Sequence, residues 1–162
     1  MKNILLSLVL ISSLLLIGCT STSTNQNTNT NKLPIANNQN KLDLSNQGLT
    51  KVPDYVFNMT NLEELNLSGN QLTGAIQSQI GNLKNLKTLN ASNNQMTGVP
   101  AEVGQLQKLQ ILDLSNNQLT GLPNEIGNLK NLKTFNISGN SYSTLDLKAI
   151  QERLPVGVNV IK

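Results

Sequence analysis

From Lys41 onward the chain carries short triplets in which apolar and polar residues alternate, and the triplets return at a nearly fixed interval. They begin at Leu42, Leu65, Leu89, Leu112 and Phe135, with spacings of 23, 24, 23 and 23 residues. Alternation as in Leu65-Asn66-Leu67 predicts a half-buried strand. One strand of this length cannot bury its inner face alone. Stacked on its neighbours it contributes to continuous apolar columns: Leu42, Leu65, Leu89, Leu112, Phe135, and two residues on, Leu44, Leu67, Ala91, Leu114, Ile137. Further columns follow from Leu49, Leu72, Met96, Leu119, Tyr142 and from Leu62, Leu86, Leu109, Leu132. The stretches between strands are too short for full helices and contain Pro53, Pro100 and Pro123, which predicts 3₁₀ or extended turns. Repeat two has Gln77 at the corresponding position. The pattern changes near the end. Ser143 or Thr144 is placed to cap a helix running through Arg153, with Leu147, Ile150 and Leu154 on one face and Pro155 and Gly157 stopping it. Val158–Lys162 reads as a last strand, and helix and strand together cover the end of the core.

The period and the pattern L-x-x-L-x-L-x-x-N-x-L, repeated five times over about three-quarters of the chain, resemble the leucine-rich repeat. The resemblance implies an α/β leucine-rich-repeat solenoid: short parallel strands on a concave face, irregular or 3₁₀ turns on the convex face, and a C-terminal helix–strand cap. It also implies that Asn70, Asn94, Asn117 and Asn140 form a structural ladder, each amide bonding the backbone of its own turn and of the next repeat. Gln47 departs from this in the first repeat, as a terminal repeat drifting from consensus. Repeat three departs as well, with Ala91 for a core Leu and Met96 for another. A flexible Met leaning toward Ala91 would fill the missing volume.

The N-terminal part follows different rules. Lys2 precedes the apolar run Ile4–Ile17, whose 14 residues have the length of a signal-peptide core. As a helix it would be roughly 21 Å long, short of the ~30 Å bilayer core. Leu16-Ile17-Gly18-Cys19 resembles a bacterial lipobox. That resemblance implies that residues 1–18 are removed and that Cys19, the single cysteine, becomes the acylated first residue. Thr20–Asn40 is nearly all Thr, Ser, Asn and Gln, a composition too poor in apolar groups to fold. Its 21 residues would span roughly 25 Å as a coil. The expected organisation is therefore a leader at 1–18, a lipidated Cys and tether at 19–40, and a repeat domain at 41–162 with its cap from about 141.

Composition narrows the function. The chain has no histidine, which removes imidazole acid–base chemistry, Ser-His-Asp and Cys-His systems and His-containing metal sites. One cysteine cannot build a Cys-rich zinc site. The formal charge of +3 is a small imbalance without a dense basic block, and aromatics make up only 2%, so nucleic acid is not an expected partner. No cofactor is expected. The concave face presents Asp43, Asn66, Asn90, Asp113 and Asn136 in its central column, a parallel serine column, and a flank with Lys41, Glu64, Thr88, Ile111 and Thr134. Asp43, Glu64, Asn66, Asn90, Ile111, Asp113 and Asn136 are the candidate binding residues. Asp43 and Asp113 are three strands apart, about 14 Å, too far for a glycosidase carboxylate pair. The expected function is non-catalytic binding of a protein ligand by a lipid-anchored module at the outer membrane or cell surface of a bacterium. A periplasm-facing scaffold lipoprotein is the alternative and an enzyme a distant third. A glycan ligand is compatible with the face, although no residue argues for it.

Overall fold

The computed structural model describes residues 40–162. The leader, Cys19 and the tether up to Gln39 lie outside the described residues. Among the described residues eight strands form: β1 Lys41–Asp43, β2 Glu64–Asn66, β3 Thr73–Gly74, β4 Thr88–Asn90, β5 Gln95–Met96, β6 Ile111–Asp113, β7 Thr134–Asn136 and β8 Asn159–Ile161. Helix α1 spans Thr144–Gln151. Strands β1, β2, β4, β6, β7 and β8 make one parallel sheet in that order, and β3 pairs with β5 in a second. The register puts Leu42, Leu65, Leu89, Leu112 and Phe135 on consecutive rungs, as the columns require, and adds Val160.

The strand columns are buried from Leu42 to Phe135 and from Leu44 to Ile137. At about 1.5–3 kcal/mol per buried side chain, such columns offset chain ordering only when repeats stack. The core is deeper than the strand pattern alone implies. Convex columns made of Val52, Ile76 and Leu122, of Val56, Ile80, Val103 and Ile126, and of Leu83, Leu106 and Leu129 are buried as well.

The convex segments are 3₁₀ helices at Asp54–Asn58, Ser78–Asn82, Ala101–Gln105 and Asn124–Asn128. Pro53, Pro100 and Pro123 precede three of them in extended conformation, and Gln77 precedes the fourth. Proline suits this place because its fixed φ presets the entry and its missing N–H is not needed, while its carbonyl accepts the first helical bond, for example from Val103 N at 3.1 Å. Gln77 has a backbone N–H and a long side chain, and its Nε2 reaches back 2.7 Å to the Val52 carbonyl of repeat one.

Gly81, Gly104 and Gly127 sit at one position of successive 3₁₀ helices and are buried. They let neighbouring turns approach closely. A Cβ on Gly104 would be driven into the Glu125 carbonyl and come within 2.7 Å of the Glu125 Cβ. Gly104→Ala should therefore cost about 1–3 kcal/mol. Gly98→Ala, whose new Cβ would meet only Ala75 at 3.9 Å, should be close to neutral. Urea titration of both variants checks this, and equal midpoints would contradict it.

At the C-terminus Ser143 caps α1, its Oγ accepting from Asp146 N at 3.2 Å. Leu147 and Ile150 are buried. The helix ends at Gln151, two residues before Arg153, and the chain then makes turns before β8. Gly157, at φ 89°, supplies a backbone turn that L side chains rarely adopt.

Candidate functional site

The four predicted ladder asparagines are all hydrogen-bonded at both ends. Asn94 Nδ2 donates to the Leu67 and Ala91 carbonyls at 3.0 and 3.1 Å, and its Oδ1 accepts from Leu72 N at 3.0 Å. Asn117 and Asn140 repeat the arrangement one and two rungs on. Asn70 accepts from both Gln47 N and Leu49 N. One detail corrects the expectation: each side chain ties its own turn to the preceding repeat rather than the next. The departure at Gln47 falls at the end of the described ladder. Among the described residues no strand precedes β1 to offer an inward amide there the inter-repeat carbonyl that the other four use, and Gln47 is exposed.

The central concave column is built differently from what its outward position suggests. Each Asx side chain folds back onto the serine two residues later. Ser45, Ser68, Ser92, Ser115 and Ser138 donate their backbone N–H groups to Asp43, Asn66, Asn90, Asp113 and Asn136 Oδ1, at 2.9–3.2 Å. The hydroxyls of Ser68, Ser115 and Ser138 reinforce three of these at 2.7–2.9 Å. These are Asx turns that end each strand. The Asx-x-Ser spacing carried that signal in the sequence. Half of each side chain is thus spent on the turn, leaving an amide Nδ2 or a second carboxylate oxygen for the face. The next residue in each turn is Asn46, Gly69, Asn93, Asn116 or Gly139, every one at positive φ, where only Asn and Gly are comfortable.

The structure divides the candidate residues into two groups. Asp43, Glu64, Asn66 and Asn90 line one shallow depression of about 340 Å³ on the concave face, together with Lys41 and Thr88. Lys41 Nζ lies 2.7 Å from Glu64 Oε1 across the β1–β2 pair. Ile111, Asp113 and Asn136 lie on β6 and β7, outside that depression. There Asn136 Nδ2 donates to Asp113 Oδ2 at 3.2 Å, and Ile111 is 41% exposed, an apolar spot beside a polar row.

The electrostatics favour an ionised Asp43. Hydrogen bonds from the Ser45 side chain and backbone hold the Asp43 carboxyl below its ordinary range, and Asn66 adds to this against a small opposing effect of burial. A proton-donating acid needs the opposite shift. Ser45→Ala should raise the Asp43 midpoint toward the ordinary value in an NMR titration, and an unchanged midpoint would show that the hydroxyl is not the cause. Because the folded-state value is depressed, the stabilisation linked to Asp43 is present above the ordinary carboxylate range and lost as pH falls through the lowered one. Among the described residues no group of His, Cys, Asp and Glu could hold a metal ion, and no helix is long and apolar enough to cross a membrane.

A family model described as a leucine-rich repeat region matches residues 65–152. The chain belongs to the leucine-rich-repeat family. No curated protein matches the sequence. Among solved structures, this leucine-rich-repeat chain is similar to a leucine-rich-repeat protein of Leptospira interrogans at 41% identity and a TM-score of 0.70, covering 75% of this chain and 30% of that one. It is similar to the ectodomain of the receptor kinase SOBIR1 of Arabidopsis thaliana at 35% identity and TM-score 0.57, covering 63% and 56%. A third similarity is to the BIR3–SERK2 complex of the same plant, at 30% identity and TM-score 0.61, covering 74% and 65%. The chain thus spans less than a third of the Leptospira protein and just over half of the SOBIR1 ectodomain.

Proposed function

We propose that this protein is a lipid-anchored, non-catalytic binding module of a bacterial cell envelope that takes a protein ligand on its concave face. Leucine-rich-repeat domains act in protein–protein interaction, and the BIR3–SERK2 structure is a complex of two proteins. The observation that carries the reading is the depression at the β1–β2–β4 end of the concave sheet. It gathers an exposed ion pair, a carboxylate held ionised and the side-chain amides of Asn66 and Asn90. Such a surface offers directional polar contacts to another protein's backbone and side chains. It offers no enclosed cavity and no proton donor for chemistry.

The concave reading is tested by placing a photo-crosslinking residue at Asn66, Asn90 or the convex Ser78 in the full-length protein and irradiating intact cells. A common protein adduct from the two concave positions, absent from Ser78, supports it; equal capture from Ser78 sinks it. The anchor rests on the lipobox resemblance at Cys19 and has its own check. Cys19→Ser should leave the repeat domain folded and move the protein from the membrane to the soluble fraction. Retention on the membrane of a variant whose leader has been cleaved would show that the thiol is not the anchor. Protease treatment of intact cells decides the facing: digestion supports surface display, protection the periplasmic scaffold.

A further inference from the structure

The lysines of repeats two to four are scattered through the sequence, yet the fold aligns them along one edge. Backbone hydrogen bonds from Lys87 N to Glu63 O, Gln110 N to Lys87 O and Lys133 N to Gln110 O, all 2.7–2.8 Å, stack these residues as consecutive rungs just before the concave strands. A turn earlier, Asn85 Nδ2 reaches the Thr60 carbonyl at 2.9 Å and Asn131 Nδ2 the Gln107 carbonyl at 2.7 Å. Those bonds stack Lys84, Gln107 and Lys130 at one position of successive turns and Asn85, Lys108 and Asn131 at the next, beside the first row. With rungs ~4.8 Å apart, Lys84 and Lys130 are about 10 Å apart along the edge, as are Lys87 and Lys133.

The charge on this edge is little compensated. Of these five lysines, Lys87 alone lies within ion-pair distance of a carboxylate among the described residues, Glu63 Oε2 at 2.7 Å. Lys84 donates to the Gln105 side-chain carbonyl at 2.8 Å and Lys108 to that of Asn85 at 2.7 Å, neutral partners that leave the positive charge in place. Lys84, Lys108, Lys130 and Lys133 are exposed, whereas the leucines between them, Leu86, Leu109 and Leu132, point into the core.

We propose that this edge is a docking track for a linear anionic polysaccharide carrying sulfate or carboxylate groups. A narrow band of cations matches a linear polyanion better than a planar bilayer, since the exposed apolar residue beside it, Ile111, is a single side chain and too little to anchor in lipid. The band has no aromatic residue to stack bases, which disfavours single-stranded nucleic acid. Between the lysines, Gln107 Nε2 and Asn131 Nδ2 are engaged by backbone carbonyls, which holds their side-chain oxygens in place as acceptors for sugar hydroxyls. The track is separate from the concave depression and does not depend on protein binding there.

The probe is a size-defined heparin oligosaccharide, titrated calorimetrically into the full-length protein. Five lysine–anion contacts should weaken binding about a hundredfold between roughly 50 and 200 mM salt, through counterion release. The triple variant Lys84→Gln, Lys130→Gln, Lys133→Gln should lose about tenfold or more in affinity with unchanged circular dichroism and flatten the salt dependence. The equally charged control Lys51→Gln, Lys148→Gln, Lys162→Gln should lose less than about twofold. Equal losses in the two triples would overturn the proposal, since net charge would then suffice. So would no heparin binding at about 50 mM salt, or tighter binding to phosphatidylglycerol vesicles or polyuridylate than to heparin.

Discussion

Asn117→Ala should destabilise the domain by about 3–5 kcal/mol, far more than an ordinary polar-to-alanine change. Asn117 is only 8% exposed. Its Nδ2 donates to the Ala91 and Leu114 carbonyls at 3.0 Å, and its Oδ1 accepts from Met96 N at 3.0 Å. Truncation leaves the buried Met96 N–H without a partner, at roughly 1–3 kcal/mol, and takes one bond each from the Ala91 and Leu114 carbonyls, which keep those from Asn94 and Asn140 Nδ2, at about 0.5–1.5 kcal/mol apiece. The damage falls on the junction between repeats three and four. A solenoid is held by such nearest-neighbour junctions, so the denaturation curve should also broaden as the two sides uncouple. Asn140→Ala, at a half-buried position beside the cap, should cost about half as much because water can enter the site and take over part of its bonds. Chemical denaturation compares the two. A loss below about 1 kcal/mol at Asn117 would mean that the ladder is a consequence of stacking rather than a cause of it.

Met96→Ala should cost about 2–5 kcal/mol, and the added change Ala91→Leu should return part of it. Repeat three is the only one with alanine in the second strand column, and Ala91 is fully buried. Its neighbours in that column, Leu67 and Leu114, are buried as completely, at 0% and 1% exposure. The volume that a leucine would occupy is therefore taken up within the core, and Met96, 1% exposed and on the next column of the same repeat, is the flexible side chain placed to do it. If so, the two positions are coupled. The double variant should be more stable than the sum of the single changes requires, by at least about 1 kcal/mol. Additive effects in a double-mutant cycle would show that other residues close the gap.

Much of the architecture was legible before any coordinates. The Leu columns fixed the register of five strands, because a slip by one residue would turn Leu65 and Leu67 to solvent and Asn66 inward. Ser143, Leu147, Ile150 and Gly157 marked the terminal helix and its end. What the pattern misjudged has local causes. The ladder amides bond backward because an asparagine in the turn after a strand faces the carbonyl of the previous rung, Leu44 for Asn70 and Leu67 for Asn94. The direction of a hydrogen bond between repeats is not written in a periodic sequence. The pattern presents the concave Asx column as polar surface, yet each Oδ1 is engaged by the serine two residues on.

By itself the sequence determined the repeat length, the identity of each inward column and the helix–strand ending, since these depend on periodicity and on the conformational limits of Pro, Gly and Asn. Tertiary structure alone decided which outward residues share a surface. Asp43, Glu64, Asn66 and Asn90 come together in one depression, and Lys84, Lys87, Lys108, Lys130 and Lys133 along one edge, because a turn of 23 or 24 residues closes to a rise of one strand spacing. Residues two dozen positions apart in sequence become ~4.8 Å neighbours, and charges too sparse to notice along the chain add up across it.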